Sequence, residues 1–175
     1  MTSLPPNVDS LVSRNKEYSK TYTSPHDVAH FLSGKGKFAM VILISCCDPR
    51  IIPEEFGLFK REEYVVVRNA GGRAEPAIRD ICVLSTMTEI TDVVVIHHSD
   101  CGMTHLTNDA IRSSMKSRGL GDEKLDTFEF GEILNLKQSV KDDIEFLKNS
   151  PYISKEIKVS GFVFDLLDTG LLIPV

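Results

Sequence analysis

The run FAMVILIS at residues 38–45, followed at once by CCDPR at 46–50, decides how this chain folds. Eight apolar, largely branched residues are consistent with a buried strand or a buried helical segment, and periodicity alone does not separate the two. The shortness of the run and the polar cluster behind it favour a strand. Working outward, three more segments read the same way: YVVVR (64–68), DVVVIHH (92–98) and IKVSGFVF (157–164), the last interrupted by Gly161. Helical patterns separate them. Residues 76–88 place Ile78, Ile81, Cys82, Leu84 and Ser85 near helical spacing. Residues 107–118 open on a Thr or Asn cap. Residues 135–149 carry Leu136, Val140, Ile144 and Leu147 on one stripe. Strands apolar on both faces, alternating with helices, predict an α/β domain whose parallel sheet is covered on both sides.

Composition narrows the function classes. The chain has 175 residues, with 20 basic against 25 acidic side chains and a formal charge of -5. That balance argues against a nucleic-acid binder, which needs concentrated positive charge. With no Trp, 4 Tyr and 9 Phe, no aromatic stacking platform stands out. No apolar run approaches a membrane span. The first residues, MTSLPPNVDSLVSRNKEYSK, have neither the apolar stretch nor the cleavage site of a secretory signal. The expected compartment is a reducing cytosol, where clustered cysteines point to metal or catalysis rather than disulfides. Residues 1–36 read as an N-terminal helical arm. A helix start is expected near Pro25, with Ser24 as its cap, and Gly34 and Gly36 end it. Residues 37–175 read as one α/β domain.

Polar residues collect where three strands end: Cys46-Cys47-Asp48-Pro49-Arg50, Arg68-Asn69-Ala70-Gly71-Gly72 and His98-Ser99-Asp100-Cys101-Gly102. In open parallel sheets, sites form in the crevice beyond the strand C-termini. Cys46, His98 and Cys101 make a Cys₂His set suited to zinc, and three protein ligands leave one tetrahedral position open, as in catalytic sites. Asp48 either fills that position or sits beside it, and Arg50 holds Asp48 by a charge-assisted pair. Buried cysteines are often only small hydrophobes. Cys82, on an apolar helical pattern, and Cys47, pointing away from Cys46, are expected to pack. A structural zinc using all four cysteines is a weaker alternative, because no knuckle spacing is present. A redox or zinc-binding protein without turnover would not need Asp48 and Arg50. A nucleotide-binding module would need the G-x-G-x-x-G or G-x-x-x-x-G-K pattern that the 69–72 turn lacks.

Cys-x-Asp-x-Arg followed about fifty residues later by His-x-x-Cys resembles the beta class of carbonic anhydrases. The resemblance extends to Arg68-Asn69-Ala70-Gly71-Gly72, to His97–Met103 and to the tail VSGFVFDLLDTG at 159–170. It covers most of residues 38–172. It implies a zinc enzyme with a four-stranded, mostly parallel sheet flanked by helices. It also implies a homodimer or a tetramer-of-dimers type of assembly. N-terminal helices would embrace the partner, with the active site near the interface. Carried over position by position, Cys46, His98 and Cys101 match the zinc ligands, one Zn(2+) per subunit, and Asp48 and Arg50 match the catalytic dyad. The implied reaction is reversible hydration of carbon dioxide to bicarbonate by zinc-bound hydroxide. The compact branch of the family also includes carbonyl sulfide hydrolases, which convert COS and water to carbon dioxide and hydrogen sulfide on the same site, and a related set that hydrolyses carbon disulfide. Pro49 departs from the Ser or Ala more usual at its position.

The small apolar substrates need a dry wall rather than charged anchors. Gly71, Gly72 and Gly102 are expected to let backbone approach that pocket; ordinary strand-to-helix turns would place glycines there too. His97 and His105 are candidate proton relays, with a structural or surface role as the alternative for each.

Overall fold

The computed structural model describes residues 7–32, 39–60 and 62–175. They fall into two compact units, divided between Gly36 and Lys37. In the first, helix α1 (Val8–Tyr18) is capped by Asn7, whose side chain accepts the Ser10 N–H at 2.9 Å. Its apolar residues Val8, Leu11 and Val12 are exposed. Helix α2 (Val28–Leu32) follows. The expected cap Ser24 is replaced by Asp27, which accepts the His30 N–H at 2.9 Å; Ser24 instead donates to the Pro25 carbonyl.

The second unit runs β1 (Ala39–Cys46), α3 (Pro53–Phe56), β2 (Tyr64–Asn69), α4 (Ala74–Ser85), β3 (Glu89–His98), α5 (Asn108–Ser117), α6 (Leu136–Asn149), β4 (Lys158–Phe164) and β5 (Leu172–Pro174). The sheet order is β2-β1-β3-β4-β5. The first four strands pair in parallel, as the apolar runs predict. The expected count of four is corrected to five, because β5 adds an antiparallel edge through Val163 opposite Ile173. A three-residue exposed strand has no periodicity to read and forms only because the Asp165–Gly170 turn returns the chain beside β4. In that turn the Asp165 carboxylate accepts from the Thr169 N–H and hydroxyl.

Apolar contact on both faces explains the unbroken hydrophobic strands. On one face Ile42, Ile44, Val93 and Val95 pack against Ala77 and Ile81 of α4 and Val140 and Leu147 of α6. On the other, Leu43, Ile96 and Phe164 meet Ile51 and Phe56, with the Phe56 and Phe164 rings stacked at 4.3 Å. Gly161 does not interrupt β4. It lets α6 approach, since a Cβ there would lie 2.4 Å from Val140 Cγ1. The cysteines expected to pack are corrected in part: Cys82 is half-buried, outside the core clusters, and Cys47 is exposed.

Strand β1 connects to β2 on one side while β3 connects to β4 on the other. The crevice between the ends of β1 and β3 is therefore the topological switch point, the place where doubly wound sheets hold ligands. Cys46 ends β1 and His98 ends β3.

Candidate metal centre

Cys46, His98 and Cys101 are all buried, and their ligand atoms lie within 4.8 Å of one another. The two sulfurs are 3.9 Å apart. His98 Nδ1 lies 2.9 Å from the Ser99 carbonyl, which can only accept. That assigns the ring proton to Nδ1 and leaves the Nε2 lone pair facing the sulfurs. Nε2 is buried with no hydrogen-bond partner, one of two such side-chain atoms among the described residues, the other being the Ser45 hydroxyl. A desolvated lone pair is costly, and a cation among two thiolates and an imidazole satisfies it. The donor set fits zinc.

The thiols are electrostatically linked. The hydrogen bond from Cys101 draws the Cys46 thiol far down, against burial, with help from His98 and the N–H groups of Asp48 and Gly71. The Cys46 sulfur and burial together push Cys101 up. A cation bound between the two sulfurs would displace their protons.

Asp48 does not belong to the ligand group. Its carboxylate is gripped by Arg50, with Nε donating to Oδ1 at 3.0 Å, Nη2 to Oδ2 at 2.8 Å and the Arg50 backbone N–H to Oδ1 at 2.9 Å. The Arg50 side-chain hydrogen bonds, followed by its N–H and its charge, hold the Asp48 carboxyl at about 2 despite burial, so it is ionised at neutral pH.

The turn after β2 underlies the metal group. Asn69 closes it, accepting the Arg73 N–H at 2.7 Å and donating to the Arg73 carbonyl at 2.8 Å. Gly72 has φ +69°, and a Cβ there would meet Cys46 N at 2.9 Å and Ile96 O at 3.0 Å. Its absent side chain makes room for the β1 and β3 backbones. Gly71, at φ +80°, abuts Met103 and Ile133. Gly102 borders open space, with nothing within 4 Å of a Cβ position.

The two candidate relays separate. His98 and His97 are neighbours on a strand, so their side chains leave by opposite faces. His97 is fully buried against α6, with Nδ1 2.8 Å from Ser139 Oγ and Nε2 3.1 Å from Asp143 and 3.2 Å from the Gly72 carbonyl. Both ring nitrogens are engaged in the interior, the structural role named as its alternative, so the relay expectation for His97 is corrected. His105 is exposed, its Nε2 3.8 Å from Asp100.

Several supporting residues escaped the sequence reading. Arg68 donates to the carbonyls of Cys46 at 3.1 Å, Asp48 at 2.9 Å and Ile51, pinning the loop that carries Cys46 and Asp48. Met103 and Ile133 form an apolar cluster with Cys46 and Cys101. Asp143 joins Arg73, His97 and the Ala74 N–H. Arg68 and Met103 stand inside the quoted motifs, where no role was read for them; Ile133 and Asp143 lie far from those motifs in sequence. A depression of about 910 Å³ shares Asn69, Ala70 and Arg73 with the turn but is not lined by Cys46, His98 or Cys101.

A switch-point crevice with two cysteines, one histidine and an Asp–Arg pair defines a doubly wound α/β protein built around a group that could hold a metal ion. Over residues 41–172 the sequence matches the profile of the carbonic anhydrases, so the chain belongs to that family, in its beta class. A crystal structure of carbonic anhydrase from Streptococcus mutans superposes with a TM-score of 0.80 at 27% identity, covering 99% of each chain. Beta-carbonic anhydrase 1 of Mycobacterium tuberculosis is 25% identical over 94% of each chain. A carbon disulfide hydrolase of Saccharolobus solfataricus is 26% identical over 91% of this chain and 84% of its own.

Proposed function

We propose that this chain reversibly hydrates carbon dioxide to bicarbonate, with zinc held by Cys46, His98 and Cys101. The observation that carries the reading is the buried, unpartnered Nε2 of His98 converging on two thiols. Zinc, when bound, supplies a Lewis acid that makes water acidic enough to attack near neutral pH.

The protein's own groups do the rest. Two thiolates cancel the charge of the dication and weaken it as an acid, so the attacking hydroxyl needs support. Asp48, ionised and fixed by Arg50, accepts that hydroxyl's proton in a hydrogen bond and aims the oxygen lone pair at the substrate carbon. Met103 and Ile133 provide the dry side of the site, and Gly71 and Gly102 are the pocket glycines. Gly72 serves beneath, as the spacer between strands. In this reading the exposed His105 passes the proton released in each cycle to solvent. The working unit is a homodimer or an assembly of dimers in a reducing cytosol, which keeps the thiols free.

A second reading, hydrolysis of COS by water to carbon dioxide and hydrogen sulfide, uses the same groups. It is kept because carbon disulfide hydrolases stand beside carbonic anhydrases among the relatives at similar identity. Side-by-side rates on carbon dioxide, COS and carbon disulfide with zinc-replete protein decide between them. Fast carbon dioxide hydration supports the first reading; strong turnover of a sulfur substrate with negligible carbon dioxide hydration overturns it.

A further inference from the structure

Asp100 sits beside the ligand Cys101, and no part of the proposed reaction uses it. Its backbone is at φ +56°, the left-handed region, one of three such non-glycine residues among the described ones. Asp and Asn tolerate that conformation better than most side chains, at some cost. The conformation accompanies two contacts with one partner. Arg50 Nη1 donates to Asp100 Oδ2 at 2.8 Å, and Arg50 Nη2 donates to the Asp100 carbonyl at 2.9 Å. The same guanidinium uses Nε and Nη2 on Asp48. Arg50 thus bridges the loop after β1 to the loop after β3, its donors divided between two carboxylates.

That division matters because of what Arg50 cannot do alone. Its side chain is 46% exposed, and its partner Asp48 lies two residues away on the same loop. A pair confined to one loop turns as a unit. The anchor that relates it to the other loop, where Cys101 sits, is Asp100. We infer that Asp100 is a positioning residue: by fixing Arg50 from the opposite loop, it keeps the Asp48 carboxylate out of the open position beside Cys46, His98 and Cys101. This rests on the metal-site reading above. Without the Asp100 carboxylate, the opposite loop holds Arg50 only through the Asp100 backbone carbonyl; the Asp48–Arg50 pair turns more readily, and Asp48 competes for the position that an exogenous ligand would use.

The test uses cobalt-loaded protein and azide, a small anion that reports an open metal position through the visible spectrum. Asp100→Asn removes the charge while tolerating the left-handed backbone, and Asp100→Gly removes the side chain with no backbone penalty. Both variants are expected to take up one cobalt per chain with the thiolate charge-transfer band of the parent, and to bind azide at least fivefold more weakly. Adding Asp48→Asn to Asp100→Asn is expected to restore azide binding to within twofold of the Asp48→Asn single variant. A parent that takes up no cobalt overturns the site reading and this inference with it. Cobalt uptake with azide affinity unchanged in both Asp100 variants overturns the inference alone, as does weakened binding that the second substitution fails to restore.

Discussion

At the scale of single residues, chemistry is concentrated in few atoms. Asp48→Ala leaves the proposed ligands Cys46, His98 and Cys101 in place and removes the carboxylate proposed to accept a hydrogen bond from the attacking hydroxyl. Loss of a positioning hydrogen bond to the attacking group can cost about 100-fold, so carbon dioxide hydration is expected to fall by roughly 100-fold, with zinc content unchanged on elemental analysis. Asp143 is the structural counterpart. Burial pushes its carboxyl up, but hydrogen bonds from His97 and Arg73 and their charges outweigh that and leave it below the ordinary 3.8. A lowered folded value means its contribution is complete above about pH 4. That contribution is lost as pH falls through the folded value. Asp143→Asn is therefore expected to flatten the acid limb of a urea-midpoint series between pH 7 and 3. Breaking a buried pair costs about 3–5 kcal/mol, which the same series reads at pH 7. The grouping of Cys46, His98 and Cys101 was legible in the sequence because thiols and imidazole at strand ends are chemically distinctive. Asp143, Met103, Ile133 and the bridging role of Asp100 were not, because each acquires meaning only from residues that folding brings beside it. His97 shows the reverse: adjacent to a ligand in sequence, it is turned to the other face by strand alternation.

At the scale of elements, the four parallel strands could be read because burial on both faces leaves unbroken apolar runs. β5 could not, since its three exposed residues depend on the Asp165–Gly170 turn. Glycines 72 and 102 looked alike in the sequence, and the fold distinguishes them. Gly72 combines a positive φ with a 2.9 Å approach to the Cys46 backbone. Gly72→Ala is expected to cost about 1–3 kcal/mol for the left-handed conformation alone. The clash adds to that and displaces Cys46, so zinc content should fall as well. Gly102→Ala meets nothing within 4 Å and should stay within about 0.5 kcal/mol of the parent. Urea unfolding with metal analysis of the two variants checks both expectations.

For the whole molecule, the sheet order itself creates the crevice: β1 and β3 lead their connections to opposite sides, and Cys46, His98 and Cys101 gather where those connections part. The exposed Val8, Leu11 and Val12 of α1 give the first unit an apolar stripe consistent with the proposed dimer. Sedimentation is expected to return at least twice the 19.5 kDa chain mass; an active monomer at micromolar concentration would contradict that assembly. The central claim is a zinc ion held by two sulfurs and one imidazole with a fourth position left open. X-ray absorption at the zinc edge tests it most directly. The expected result is one zinc per chain, with two sulfur neighbours at about 2.3 Å and one imidazole nitrogen and one oxygen at about 2.0–2.1 Å. A protein purified with excess zinc that holds none, or a closed shell of four protein sulfur and nitrogen ligands, would contradict it.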